Sequence, residues 1–388
     1  MKLDISKNLH SNQEFNKTMK LQYKPKIGIF TKPIDQGTSG SGSYLRQLVN
    51  QILKLNKKFN IVLIHHSKND NEVYKKAKDL IISKNPLFAY IKLKKENFDL
   101  LHYYPLTITS PIWIKKPKKV TSVHGGGAAE LYFPSQFSYI KRLHSKLIKP
   151  KFFRKMDYIF VGSNIGKKFL TRQYNVKEDK IFFTYSAVNE DFRIYENKPI
   201  EIKKKYGIEG PFIFHLSKFS ERKNPWTIMK AFQKVKIIND KIKLVLGGKG
   251  WKNIKVIDFA RKNEIFKDII FTGFIPQEDL IHLLNLADVF VFPSFFEGFG
   301  IPNLEAMACG CPVITSNAFA IREIVGDAAL LLEDNSNPEE LAKKIILLIS
   351  DKKLRDEFIK KGLARLKLFS WEKSAQTVLK IYERCLNL

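Results

Sequence analysis

At 388 residues, 44% of them hydrophobic and 12% aromatic, the chain is too long for one ordinary domain and too apolar for global disorder; two domains of roughly 150–200 residues are expected. Its net charge of +29 is unevenly spread: residues 1–200 carry 37 Lys/Arg against 15 Asp/Glu, and residues 201–388 carry 30 against 23, so an acidic partner is expected on the N-terminal half. The three cysteines, Cys309, Cys311 and Cys385, form neither a CxxC pair nor a Cys/His ligand spacing, which speaks against a disulfide framework or a zinc site and favours a reducing cytosol.

Residues 1–25 lack the apolar run of a secretory signal and read as a polar tail. No stretch approaches 18 uninterrupted apolar residues, so the expectation is a soluble chain, or one that rests on a membrane without crossing it. Strand-like and helix-like segments then alternate. "KIGIF" (26–30) reads as a strand and "SYLRQLVNQILKL" (43–55) as a helix with apolar spacing near 3.6. "NIVLIHH" (60–66), "FDLLHYY" (98–104), "KVTSVHG" (119–125) and "DYIFVGS" (157–163) read as buried strands. After a lysine-rich linker near 195–210 the alternation restarts with "PFIFHLS" (211–217), "KLVLGG" (243–248), "DIIFTG" (268–273), "ADVFVFPS" (287–294), "PVIT" (312–315) and "ALLLE" (329–333). Asn224-Pro225 and Asn337-Pro338 each place a capping residue before a proline that fits helix position N1, and Ser370 fits the cap of the last helix. The pattern predicts two doubly wound α/β domains, 26–200 and 201–369, followed by a terminal helix over 370–388.

"QGTSGSGSYL" (36–45) follows the first strand and opens a helix, where a phosphate loop would sit, but Gly37, Gly40 and Gly42 do not have the G-x-G-x-x-G spacing. "GGKG" (247–250) fails the Walker pattern. Dehydrogenase and ordinary ATPase chemistries are therefore disfavoured, and 37–42 stands as a ligand-approach loop or a flexible turn.

Ligands of doubly wound sheets bind outside the carboxyl ends of the strands. Three segments follow such ends: "HLSKFSERKN" with Lys218, Arg222 and Lys223, "GFIPQEDL", and "PSFFEGFGIPNLEAMA" with Glu297 and Glu305. Pro302 fits N1 of the last segment's helix and Gly310 its stop. The N–H groups near Phe299, Gly300 and Ile301 would then face outward for an anion or a sugar hydroxyl. No DxD-like carboxylate pair stands near a phosphate loop, so no metal site is expected, and two lysines could hold a diphosphate without one.

These segments, above all P-S-x-x-E-G-F-G-x-P-x-L-E-A-M-A-x-G around Glu297 and Glu305, resemble the retaining GT-B glycosyltransferases with an E-x7-E element, "glycosyl transferases group 1", mannosyltransferases among them. The resemblance runs from about 26 to 388 and is densest over 211–333. It implies two Rossmann-like domains facing a cleft, with the C-terminal helix returning to the first. It also assigns roles. Glu297 would contact donor-sugar hydroxyls beside the anomeric carbon, and Glu305 the nucleotide ribose. Lys218 and Lys223 would hold the diphosphate, with Arg222 a bystander, and His124 would reach the donor sugar. Gly40 and Gly42 would lie near the phosphates and acceptor. Two departures weaken the match: Lys218 stands where the family usually has arginine, and Gly125 where an Asp often follows the histidine.

The implied function is retaining, metal-independent transfer from a GDP- or UDP-linked sugar, mannose favoured, to a glycan or lipid-linked acceptor, with no separate cofactor. Alternatives are a nucleotide-sugar epimerase on the same fold, or a non-enzymatic basic nucleic-acid binder; no nucleic-acid motif is present. In "FPSQFSYIKRLHSKLIKPKFFRK" (133–155), Phe137, Ile140, Leu143 and Leu147 share one helical face, and Pro150 should end the helix. The expectation is that this stripe packs on the first domain's sheet. Lys141, Arg142, Lys146 and Lys149 are then left for an anionic membrane surface on the cytoplasmic side.

Overall fold

A computed structural model of the chain describes residues 23–35, 40–104, 114–123 and 129–388. Among the described residues, thirteen strands form two Rossmann-like sheets. β1 (Lys26–Phe30), β2 (Asn60–His65), β3 (Lys78–Ile81), β4 (Leu100–Tyr103), β5 (Lys118–Val123), β6 (Tyr158–Val161) and β7 (Ile181–Phe183) lie in the order 3-2-1-4-5-6-7. β8 (Phe212–Leu216), β9 (Lys243–Gly247), β10 (Ile269–Gly273), β11 (Val289–Phe292), β12 (Val313–Ser316) and β13 (Leu330–Leu332) lie in the order 10-9-8-11-12-13. Neighbouring strands in the second sheet are parallel throughout, which is why they are short apolar runs without polar alternation. Both sheets reverse direction beside their first strand, at β1/β4 and at β8/β11.

Two strands carry no sequence signal. β3, "KDLI", and β7, "IFF", are the two edges of the first sheet, and only one residue of each is fully buried. An edge strand is covered on fewer sides, so its pattern is not the continuous apolar run that identifies a central one.

Contacts divide the chain into two compact units: residues 1–122, 155–158 and 378–388, and residues 123–154 and 159–377. In the first, Tyr382 of the last helix (Trp371–Leu386) meets His102 of β4, Oη to Nδ1 2.6 Å, and Glu383 pairs with Lys58 at 3.0 Å. His102 is wholly buried, its other nitrogen 2.8 Å from Ser122 Oγ, and burial depresses its pKa to about 3, so it is a neutral core histidine. The end of the chain is thus built into the first unit, as the resemblance implies.

In the second unit, Phe214, Phe290, Phe292, Leu304 and Ile321 form the centre of one core between the sheet and its helices, while Ile228, Phe232, Leu244, Val291 and Leu341 form another on the opposite face. Caps divide as follows. Asn337 accepts from the N–H groups of Glu339 and Glu340, and Ser370 from that of Lys373. Asn224 precedes the helix Pro225–Ile238 with φ +58 but makes no side-chain cap; its amide is used elsewhere.

The segment 133–155 departs from expectation twice. Helix continues past Pro150 to Arg154, because a π-turn over His144–Ile148 widens the backbone just before the proline. That widening removes the need for an α-type bond from a residue with no N–H. Second, the helix buries Ser145, Pro150 and Phe153, not the predicted stripe: Ile140 is 72% exposed, Leu143 43% and Leu147 52%, beside Tyr139 at 68%.

Candidate functional site

β8 and β11 pair directly, Ile213 beside Val289 and Phe214 beside Phe290, at the point where the order of the second sheet reverses. The loops leaving their carboxyl ends therefore emerge side by side, where doubly wound sheets hold ligands. His215 fixes the strands beneath them. Its Nδ1 lies 2.8 Å from the Val291 carbonyl and must donate, so Nε2, 2.7 Å from Ser217 Oγ, accepts. Burial lowers its pKa to about 3, which keeps it neutral.

The two loops are stitched by backbone and side chain. Phe295 N–H donates to the Arg222 carbonyl (2.9 Å), Arg222 Nη1 to the Phe296 carbonyl (2.5 Å), and Asn224 Nδ2 to the carbonyls of Pro293 (3.1 Å) and Asn335 (2.5 Å). A third loop supports the first: Trp251 Nε1 donates to the Ser217 carbonyl at 2.8 Å. Gly248, at φ +106, passes so close that a Cβ would lie 2.2 Å from the same oxygen, which accounts for the second glycine of "GGKG".

Within this frame one carboxylate takes two cations. Glu297 Oε1 accepts from Lys223 Nζ at 2.5 Å and Arg222 Nη1 at 2.8 Å, with the side chains of Glu297 and Lys223 only 14% and 13% exposed. Burial alone would raise the Glu297 pKa, but Lys223 and then Arg222 overcome it and hold the carboxyl below the usual carboxylate range. Lys223 is shifted down, burial outweighing Glu297, and its ammonium lies 4.6 Å from the Phe292 ring centroid. Arg222, which the resemblance makes a bystander to the diphosphate, is a partner of Glu297. Lys218 stands exposed on the same loop, with no ion pair among the described residues.

Gly300 (φ +84) precedes the helix Ile301–Ala308, in which Pro302 occupies the first turn; Gly310 (φ +70) follows its end. Among the described residues, the N–H groups of Phe299, Gly300 and Ile301 make no backbone hydrogen bond, and no side chain caps them. Glu305, half-buried on that helix, has no side-chain hydrogen bond among the described residues, and burial pushes its carboxyl up to about 7. Gly40 opens the helix Gly40–Leu55 with open space where a Cβ would stand, and Gly42 is buried in its first turn. His124 lies outside the described residues.

The structure thus gathers Glu297, Lys223 and the helix start, and adds His215, to which sequence reasoning gave no role, together with Arg222, read as a bystander, and Asn224, read only as a helix cap. Only His215 carries a signal, a polar residue inside the buried run "FIFHL".

The glycosyl transferases group 1 family matches residues 199–365. A glycosyltransferase of Methanocaldococcus jannaschii, itself uncharacterized, is 30% identical over 321 residues, covering 77% of this chain and 78% of that protein. The chain belongs to glycosyl transferases group 1. This glycosyltransferase is also 27% identical over 386 residues to the O-antigen chain mannosyltransferase B of Escherichia coli, covering 92% of this chain and 99% of the relative. Among solved structures, Anabaena HepE, in complex with UDP and glucose, superposes with a TM-score of 0.76 at 16% identity, covering 93% of this chain and all of that one. The sucrose-phosphate synthase of Thermosynechococcus elongatus does so at 0.73 and 18%, covering 93% and 98%. The fold of this glycosyltransferase is GT-B.

Proposed function

We propose that this glycosyltransferase moves a sugar, mannose in preference, from a nucleotide-sugar donor to a glycan or lipid-linked acceptor, with retention and without a metal ion. The observation that carries the reading is Glu297, held by Lys223 and Arg222 beside an uncapped helix start at the switch point of the sheet. A carboxylate so fixed accepts from sugar hydroxyls without turning away. Lys223 has three donors and spends one on Glu297, leaving others for a diphosphate oxygen, with Lys218 and the N–H groups of residues 299–301 completing the cradle. Glu305 is reserved for the ribose. Likeness to O-antigen mannosyltransferase B supports mannose as the sugar.

Glu297, already paired to two cations, is poorly placed to act as a nucleophile. The incoming hydroxyl would approach the sugar face that the diphosphate is leaving, and the diphosphate itself would take the hydroxyl's proton. Rate then comes from positioning and from positive charge at the leaving group. The test is a thermal-unfolding and turnover panel of GDP- and UDP-sugars on the purified chain. Protection and consumption of GDP-mannose above the others support the reading, and protection by none opposes it.

The surface formed by residues 139–155 is proposed to work at an anionic membrane surface. No helix among the described residues is long and apolar enough to cross a membrane. The outward stripe Tyr139, Ile140, Leu143 and Leu147 is flanked by exposed Lys141 and Lys146, and residues 139–155 contain seven Lys/Arg and no Asp/Glu. Apolar side chains that enter the interface and lysines that meet headgroups act together in such a helix.

A further inference from the structure

We infer that a cavity beside Glu297, floored by aromatic rings and edged by two cations of one helix, is the acceptor subsite and takes a sugar ring carrying a phosphate ester. The inference rests on the glycosyltransferase reading above and names its second substrate. The cavity measures about 170 Å³ and is lined by Tyr132, Phe296, Phe319, Lys168, Arg172 and Glu297 among others. That is below the roughly 300–1,000 Å³ of sites for whole small molecules, so it suits one ring of a larger acceptor.

Three rings form the floor. Phe296 and Phe319 have centroids 4.2 Å apart, Tyr132 and Phe319 4.8 Å, and Tyr132 and Phe296 5.6 Å. Tyr132 is half exposed over the buried Phe296, an arrangement that offers an apolar face and a hydroxyl to an amphipathic ligand such as a pyranose. Phe319 holds φ +46 and ψ −125, a conformation that strains a bulky L-residue and persists only where its surroundings enforce it. Here the next residue does so: the Ala320 N–H points at the Glu297 carbonyl, 3.4 Å away, so the strained ring is tied to the residue proposed to hold the donor sugar.

The cations lie on the helix Asn164–Tyr174. Lys168 and Arg172 are four residues apart, on one face, and both are exposed. Neither side chain has an ion pair or hydrogen bond among the described residues, while the adjacent Lys167 is paired with Glu178 at 3.2 Å. Like charges at this spacing disfavour the helix, and an anion between them removes the penalty. A phosphate ester matches a guanidinium fork beside an ammonium better than a single carboxylate does. The phosphate sits either at the ring's anomeric carbon, as in a glycosyl phosphate or diphosphate, or elsewhere on the ring; both share the same contacts.

The test is calorimetric titration of the chain, saturated with GDP, using mannose 1-phosphate, mannose 6-phosphate and methyl α-mannoside. At least one phosphate is expected to bind about tenfold more tightly than the neutral glycoside, two exposed cations being the source. The pair Lys168→Glu and Arg172→Glu should shrink that ratio to within about twofold at an unchanged melting temperature, and Arg172→Lys should restore part of it. Tyr132→Ala should weaken phosphate and neutral glycoside alike. Which phosphate is preferred tells the anomeric ester from the ring ester. Equal binding of all three probes, absence of binding included, overturns the inference. So does a charge-reversed variant that loses GDP affinity instead, which would give these cations to the donor. Thermal protection by GDP-mannose on the same sample separates the two claims: without it the donor reading fails, and with it but no phosphate preference only the subsite fails.

Discussion

Lys223 Nζ lies 2.5 Å from Glu297 Oε1, and Arg222 reaches the same oxygen at 2.8 Å, so one buried carboxylate is the hub joining the loops after β8 and β11. Glu297→Ala should lower turnover by orders of magnitude while nucleotide still binds, because the sugar contact is lost and the diphosphate contacts are kept. It should also destabilise the chain by about 3–5 kcal/mol, the usual cost of stranding buried charges. Steady-state kinetics, nucleotide titration and denaturant unfolding check the three parts. Wild-type rate in this variant would remove Glu297 from the mechanism.

The carboxyl of Glu305, pushed up to about 7 by burial, predicts a pH-dependent donor affinity. A carboxylate accepts from ribose hydroxyls better than the acid does, so affinity should rise as pH climbs through 7, roughly tenfold between pH 6 and 8. Stability runs the other way. The folded state keeps its proton above the ordinary value of 4.5, so this group's contribution falls as pH rises from there to about 7. Glu305→Gln should flatten both profiles; an unchanged slope of nucleotide affinity against pH would show that another group titrates.

Most of the second domain was legible because parallel strands buried on both faces are continuous apolar runs, and because "PSFFEGFGIPNLEAMACG" places a helix start, a proline and a stop at recognisable spacings. What was not legible depends on side-chain direction. Nothing in "SERKN" tells that Arg222 turns toward Glu297, or that Asn224, a good cap by type, spends its amide on the Pro293 and Asn335 carbonyls. In 139–154 the period of 3.6 correctly shows an apolar stripe but cannot say whether a sheet or solvent faces it; the buried face is instead made by Ser145, Pro150 and Phe153.

That exposed stripe predicts mixed binding to lipid. The chain should co-sediment with anionic liposomes and weaken with salt as charges are screened beyond about 8–10 Å. The combined change Ile140→Ser, Leu143→Ser and Leu147→Ser should remove the part that survives high salt. Equal binding to neutral and anionic vesicles, or none to either at low salt, would leave the basic N-terminal half without a membrane role.

Charge at the leaving group comes, on this account, from Lys223, Lys218 and the open helix start. Turnover should accordingly persist in EDTA, and Lys223→Ala should lower it at least a hundredfold, in line with loss of one well-placed electrostatic donor. Strict dependence on added Mg²⁺ or Mn²⁺ would contradict the assignment.

Stereochemistry tests the central claim most directly. Proton NMR of GDP-α-mannose turned over by the purified chain, followed from the first minutes, reports the anomer of the released or transferred sugar before it equilibrates. The account predicts the α-anomer, formed on the face the diphosphate leaves. A β-anomer appearing first would contradict it.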